Sequence, residues 1–213
     1  MGQKVNPIGF RLETIKDTHQ WQSSWYADKS KYASFLLEDK KIRDFVQKKI
    51  GSSGIVSIRI ERSTKKIKVI LLVSRPGLVI GRGGKDLEVL KKDIQKIIAK
   101  NNKKINVEIQ VEEFKHADLS AKLVAEKIAF QLSKRMPYRR VVLSAIEKAM
   151  FSGAKGVKVV LSGRINGAEI GRKEKFSEGK IPLSTIKSKI DYHECPSLTR
   201  SGYIGVKVYI YIG

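Results

Sequence analysis

The strictest alternation of apolar and polar positions closes the chain. Ile204, Val206, Val208, Ile210 and Ile212 recur every second residue, as in a strand with one face in a core. The same period runs through Ile105, Val107, Ile109 and Val111, set against Asn106, Glu108, Gln110 and Glu112, and through Val157, Val159 and Leu161. Ile58 and Ile60 alternate with Arg59 and Glu61. Ile67, Val69, Leu71 and Val73 share one face of a partner strand, with residues 63 to 66 as the turn.

Helical spacing takes over elsewhere. Leu87, Leu90, Ile94, Ile97 and Ile98 fall on one stripe, which Asn101 and Asn102 end. An earlier helix over residues 28 to 50 follows Trp21, Trp25 and Tyr26 and closes on Lys48, Lys49 and Gly51. Asp118 is the expected N-cap of a helix carrying Leu119, Leu123, Ala129 and Leu132, closed by Met136-Pro137. Tyr138 to Ser152 forms the next helix, stopped by Gly153. Ile165 to Ile190 offers two further strand-like stretches around Pro182. The first residues, broken by Pro7 and Gly9, read as an extended basic arm. This order predicts an α+β protein: an arm over 1–20, a domain over 21–112, and a domain over 113–213 with two helices on a mostly antiparallel sheet.

Charge narrows the partner. Lys and Arg number 43 against 21 Asp and Glu, a formal net charge of +22. The excess is shared: 24 basic and 12 acidic residues up to Glu112, then 19 and 9 after it. Both domains therefore face a polyanion. A membrane surface would call for a basic amphipathic helix or a lipid anchor. Asn6 stands where a myristoylation signal wants Ser or Thr, and the longest apolar run, Val69 to Val73, has only strand length. The single cysteine, Cys195, rules out an internal disulfide and fits a reducing compartment. His193 and Cys195 lie close together, but structural zinc needs four ligands, and His19 and His116 are distant. Neither a nucleophile–base pair nor a carboxylate cluster of the kind a nuclease needs is visible. No cofactor is expected.

The segment that carries chemistry is Gly81-Arg82-Gly83-Gly84, set between Leu78-Val79-Ile80 and an amphipathic helix. Glycines let a backbone approach a sugar–phosphate strand closely, and a following helix offers its N-terminal amides. Arg82 and Lys85 add mobile charge. Taken alone, such a turn can simply cap a helix. Preceded by a strand pair and followed by a long helix and a period-two strand, it is the loop of a type II KH domain, which clamps about four nucleotides. A dinucleotide fingerprint needs its third glycine at Asp86, and a P-loop needs Ser or Thr there. A second cluster, Lys134, Arg135, Arg139 and Arg140, surrounds a helix–helix junction anchored by Val142, Ile146 and Ala149. It reads either as a solvated charge run or as an RNA contact.

The opening residues Met1 to Arg11 resemble those of the bacterial-type KH-domain protein family of the small ribosomal subunit, third in the conventional series. So do Arg75-Pro76-Gly77 with Gly81 to Gly84, Gly153-Ala154-Lys155-Gly156, Ser162-Gly163-Arg164, Gly167-Ala168-Glu169-Ile170 and Ile204-Gly205-Val206-Lys207-Val208. The resemblance spans essentially the whole chain. It implies a structural protein of the small-subunit head that binds small-subunit ribosomal RNA, neighbours the tenth and fourteenth proteins and lines the channel through which messenger RNA enters. Arg139 and Arg140, with Arg135 beside them, match the basic patch that such proteins present to messenger. Leu143 departs from the lysine often found there, and Lys175-Phe176 replaces a common Trp-Tyr. Lys4 and Arg11 in the arm, and Lys155, Arg164, Arg172 and Lys173 beyond, are the expected ribosomal RNA contacts. The rival expectation is a free-standing KH-domain RNA-binding regulator.

Overall fold

Ile42, Val46 and Ile50 recur every fourth residue and are buried, which lays the second half of a long helix on a sheet. A computed structural model describes residues 4–12, 21–63, 66–99 and 106–213, and resolves two compact units. The first unit is Trp21–Lys115. It holds β1 (Ser23–Ser24), α2 (Lys29–Ile50), β2 (Ile55–Arg62), β3 (Lys66–Val73), α3 (Pro76–Ile80), α4 (Lys85–Ala99) and β4 (Asn106–Glu113), while α1 (Pro7–Arg11) belongs to the other unit. Strand order is β1-β2-β3-β4. β2 and β3 run antiparallel, as a short turn allows, whereas β3 and β4 run parallel and need the crossover that α3 and α4 supply. This is the order expected of a type II KH domain. Leu90, Ile94 and Ile98 of α4 join Ile60, Val69, Leu71 and Val107 in the core, with Ile97 half-buried at its margin. Asn101, Asn102, Ile105 and positions 64–65 lie outside the described residues.

The second unit joins the N-terminal residues to His116–Gly213. Here α5 (Ala121–Ser133) and α6 (Tyr138–Phe151) cover one face of a sheet built from β5 (Gly156–Gly163), β6 (Arg172–Gly179), β7 (Ile190–Thr199) and β8 (Gly202–Tyr211). The order β6-β5-β8-β7 is antiparallel at every pairing. Val157, Val159 and Leu161 pair with Ile210, Val208 and Val206, so the apolar alternations of two strands merge into one buried floor.

Two expectations need correction. Asp118 is not an N-cap: residues Ala117–Leu119 form a 3-10 turn, and α5 starts at Ala121. The Ala121 amide donates instead to Asp191 Oδ2 at 2.7 Å, a cap supplied by β7. The buried stripe is accordingly Ala121, Val124, Ala125, Ile128, Ala129 and Leu132. The arm is not extended throughout either. Pro7–Arg11 forms α1, with Pro7 in the first turn and Asn6 Oδ1 accepting from the Ile8 amide at 2.9 Å. Residues 13–20 lie outside the described part.

Candidate nucleic-acid interface

Gly81 follows α3 with φ 70° and ψ −176°, a conformation essentially reserved for glycine, and its amide closes the helix onto the Gly77 carbonyl. A Cβ here would come within 2.0 Å of Asp86 Oδ2. Gly83 and Gly84 also take positive φ, 64° and 77°, but a Cβ on either would meet nothing within 4 Å. The loop is therefore shaped by Gly81 and left open by Gly83 and Gly84. Arg82 and Lys85 are exposed on it. Leu78 and Val89, 58% and 48% exposed, add apolar surface beside a shallow cavity of about 240 Å³, which also touches Lys49 and Asp86. Asp86 and Glu88 occupy the first turn of α4 and offset its positive dipole end. Attraction for phosphate thus falls to Arg82 and Lys85 more than to the helix terminus.

The second cluster sits at the corner between α5 and α6. Arg135, Arg139 and Arg140 are all exposed there, while Val142, Ile146 and Ala149 anchor α6 in the core. Two features of this corner work against the residues placed there in the isolated protein. Arg135 adopts φ 61°, the left-handed region that a glycine would fill without cost. Arg139 and Arg140 lie in the first turn of α6, where a helix attracts anions and no acidic residue stands. Local partners help Arg139: its Nε donates to the Tyr138 hydroxyl at 3.2 Å, and that hydroxyl donates to Glu174 Oε1 at 3.2 Å. This contact, with Glu174 nearby, raises the Arg139 pKa above its already high value. Leu143, one turn further on, is 51% exposed on the same helix.

The expected ribosomal RNA contacts separate. Arg11 is 1% exposed and cannot reach RNA. Its guanidinium donates to the carbonyls of Pro7, Pro182, Leu183, Thr185 and Ser188 and to Ser188 Oγ, which pins α1 to the loop before β7. Burial without a carboxylate lowers its pKa. A basic residue in a basic arm gave no sign of this role, because four of the five carbonyls lie more than 170 residues away. Lys4, Lys155, Arg164, Arg172 and Lys173 are exposed. Lys155 precedes β5, whereas Arg164 follows its end and Arg172 pairs with Gly163. The two groups are thus roughly 30 Å apart along an eight-residue strand and its flanks. Arg164 also spends its Nε on the Ala168 carbonyl at 2.7 Å.

Sequence reasoning passed over the positions between the apolar ones of β5 and β8. Lys158, Lys207 and Tyr209 alternate there with the core residues, a signal present in the same periodicity.

The model of the KH domain matches residues 41–119, and that of the C-terminal domain of ribosomal protein S3 matches residues 128–210. Small ribosomal subunit protein uS3 of Persephonella marina is 48% identical over 213 residues, covering 100% of this chain and 91% of that protein. The proteins of the same description from Desulforamulus reducens and Clostridium acetobutylicum are each 46% identical over the whole chain and 93% of their own lengths. The chain belongs to the uS3 family. The uS3 C-terminal match lies inside the second unit, from within α5 to Ile210 of β8, and the KH match takes in the glycine loop and runs past Lys115, where the first unit ends. Among the described residues no helix is long and apolar enough to cross a membrane.

Proposed function

We propose that this chain is a structural, RNA-binding constituent of the small ribosomal subunit, and that it catalyses no reaction. The observation that carries this reading is identity of 46–48% to uS3 proteins over all 213 residues, in a chain of net charge +22. Its place is the subunit head, in the cytoplasm or in an organelle of bacterial descent, beside the tenth and fourteenth proteins. Small-subunit ribosomal RNA is held by the loop Gly81, Arg82, Gly83, Gly84 and Lys85, and by Lys4, Lys155, Arg164, Arg172 and Lys173. The corner carrying Arg135, Arg139 and Arg140 faces incoming messenger RNA. Cations held there against a helix dipole and in a left-handed backbone support a role that needs charge at that spot rather than one that stabilises the fold.

Sedimentation of a native lysate through sucrose, before and after a high-salt wash, tests the reading. Contacts made only through phosphate weaken steeply as salt rises. Retention on small subunits at one copy each after the wash is the expected result. Release to the light fractions would favour a free KH-domain regulator instead.

A further inference from the structure

The residues that β5 and β8 do not send into the core line the opposite face of the C-terminal sheet. Strand register sets them in rows. Lys158 lies beside Tyr209, which lies beside Tyr192. In the next row Lys175 and Lys207 flank Val160, and Glu194 follows Lys207. α5 and α6 pack on the other side, against the buried floor.

This face combines two features. The Tyr192 and Tyr209 rings lie 4.8 Å apart at 43°, and Lys158 Nζ stands 5.8 Å from the Tyr209 centroid. Glu194 accepts from the Tyr192 hydroxyl at 2.9 Å and pairs with Lys207 at 3.3 Å, which fixes both side chains at one side of the aromatic pair. On the other side positive charge is crowded: burial first, and then the ammonium groups of Lys4 and Lys175, lower the Lys158 pKa. Among the described residues, none of the ion pairs uses Lys4, Lys158 or Lys175. Three ammonium groups near one another repel, and a polyanion removes that penalty. Adjacent aromatic rings on an antiparallel sheet, edged by lysines, supply what a single strand of nucleic acid needs: π-faces for bases and charge for phosphates.

We propose that this face of the C-terminal sheet is a second RNA site, at which an unpaired base stacks on Tyr209 and Tyr192 while Lys158 and Lys175 hold the flanking phosphates. The site is separate from the glycine loop and from the corner between α5 and α6. It rests on the RNA-binding reading above and adds to it the kind of RNA, a single-stranded segment rather than a duplex.

The test uses the full chain and a dodecamer of uridine, fluorescein-labelled for anisotropy and carrying 4-thiouridine for crosslinking. Crosslinks to peptides containing Tyr192 or Tyr209 are expected. K158E/K175E should weaken binding about tenfold and reduce the salt dependence by roughly 0.7 per lost phosphate contact. Y192L/Y209L should weaken it at least about fivefold. Because the tyrosines are half-buried, thermal unfolding is followed alongside, and the lysine variant carries the test if the tyrosine variant unfolds. Crosslinks confined to the glycine loop, with K158E/K175E unchanged in affinity, would overturn the proposal and leave the ribosomal reading standing. Unchanged uridine binding by K158E/K175E with loss of the chain from small subunits would assign the face to a protein, and would overturn it as well. No uridine binding by the unaltered chain would remove the RNA-binding reading and this site with it.

Discussion

Arg62 and Asp39 are locked together in the interior of the first unit: Arg62 Nε donates to Asp39 Oδ1 at 2.8 Å, and neither side chain is more than 5% exposed. Arg62 also reaches Glu38 at 2.8 Å and lies 4.8 Å over the Phe35 ring. The other oxygen of Asp39 accepts from Trp25 Nε1 at 2.8 Å and from Ser23 Oγ at 3.0 Å. One carboxylate thus ties the end of β2 and the segment before α2 to α2 itself. Removing the cation alone leaves two buried carboxylates without their guanidinium counter-charge. Arg62→Leu should cost about 3–5 kcal/mol, read by urea unfolding, with a shift in Trp25 emission. A cost below about 1 kcal/mol would show that the network is dispensable.

The glycine loop separates shape from binding. Gly81→Ala puts a methyl group into Asp86 and a residue with a side chain into a glycine-only conformation, so it should destabilise the first unit by about 1–3 kcal/mol. Gly83→Asp meets open space at φ 64°, which Asp tolerates better than most residues. It should leave the melting temperature nearly unchanged and still weaken RNA binding, by blocking the close approach and repelling phosphate. Unaltered binding by this variant would mean that the loop is idle.

The period-two and helical patterns were enough to place most of the elements, because each strand here has one face in a core and α4 presents a single apolar stripe. What escaped was non-local. Asp191 caps α5 from a strand 70 residues away, and four carbonyls gather around Arg11 only once the loop before β7 has folded. The pairing of β1 with β2 spans two residues, Ser23 and Ser24, with no apolar alternation to announce it. Glycine spacing likewise located the loop but could not say that Gly81 shapes it while Gly83 leaves it open, since that difference depends on where Asp86 lies.

Arg135 offers a gain in stability that should come with a loss of function. Its φ of 61° at the end of α5 costs a residue with a Cβ roughly 1 kcal/mol relative to glycine. Arg135→Gly should therefore stabilise the chain by about 0.5–1 kcal/mol in thermal unfolding while reducing its affinity for structured RNA. Stabilisation with full affinity would remove Arg135 from the messenger-facing group.

His193 should make the second unit sensitive to acid. Burial, and then the nearby Lys122 ammonium, lower its pKa below the ordinary 6.5, while Asp191 and Glu194 only partly oppose this. The unfolded chain therefore takes up the proton more readily than the folded one. Stability is intact above about pH 6.5 and falls as pH drops below the unfolded value towards the folded one. His193→Gln should flatten the dependence of unfolding free energy on pH between about 7 and 5. An unchanged slope would place the acid sensitivity in other groups.

Arg139 and Arg140 are exposed, and their helix carries its buried contacts on other residues. Replacing both by Ala removes two cations from the positive end of α6 but also the exposed Arg139 contact to Tyr138, and the two effects oppose each other, so stability should stay within about 0.5 kcal/mol. Incorporation into small subunits should persist, because the other proposed ribosomal RNA contacts are untouched by this variant. The cost should appear where messenger must be unwound: a hairpin-bearing message should be translated more slowly relative to an unstructured one than in the unaltered ribosome. Leu143 supplies the converse. It is exposed one turn beyond the pair, so Leu143→Lys extends the same basic face without disturbing the core. That variant should narrow the gap between the two messages. Equal ratios in all three ribosomes would leave the corner as a solvated charge cluster and remove the messenger from the list of partners.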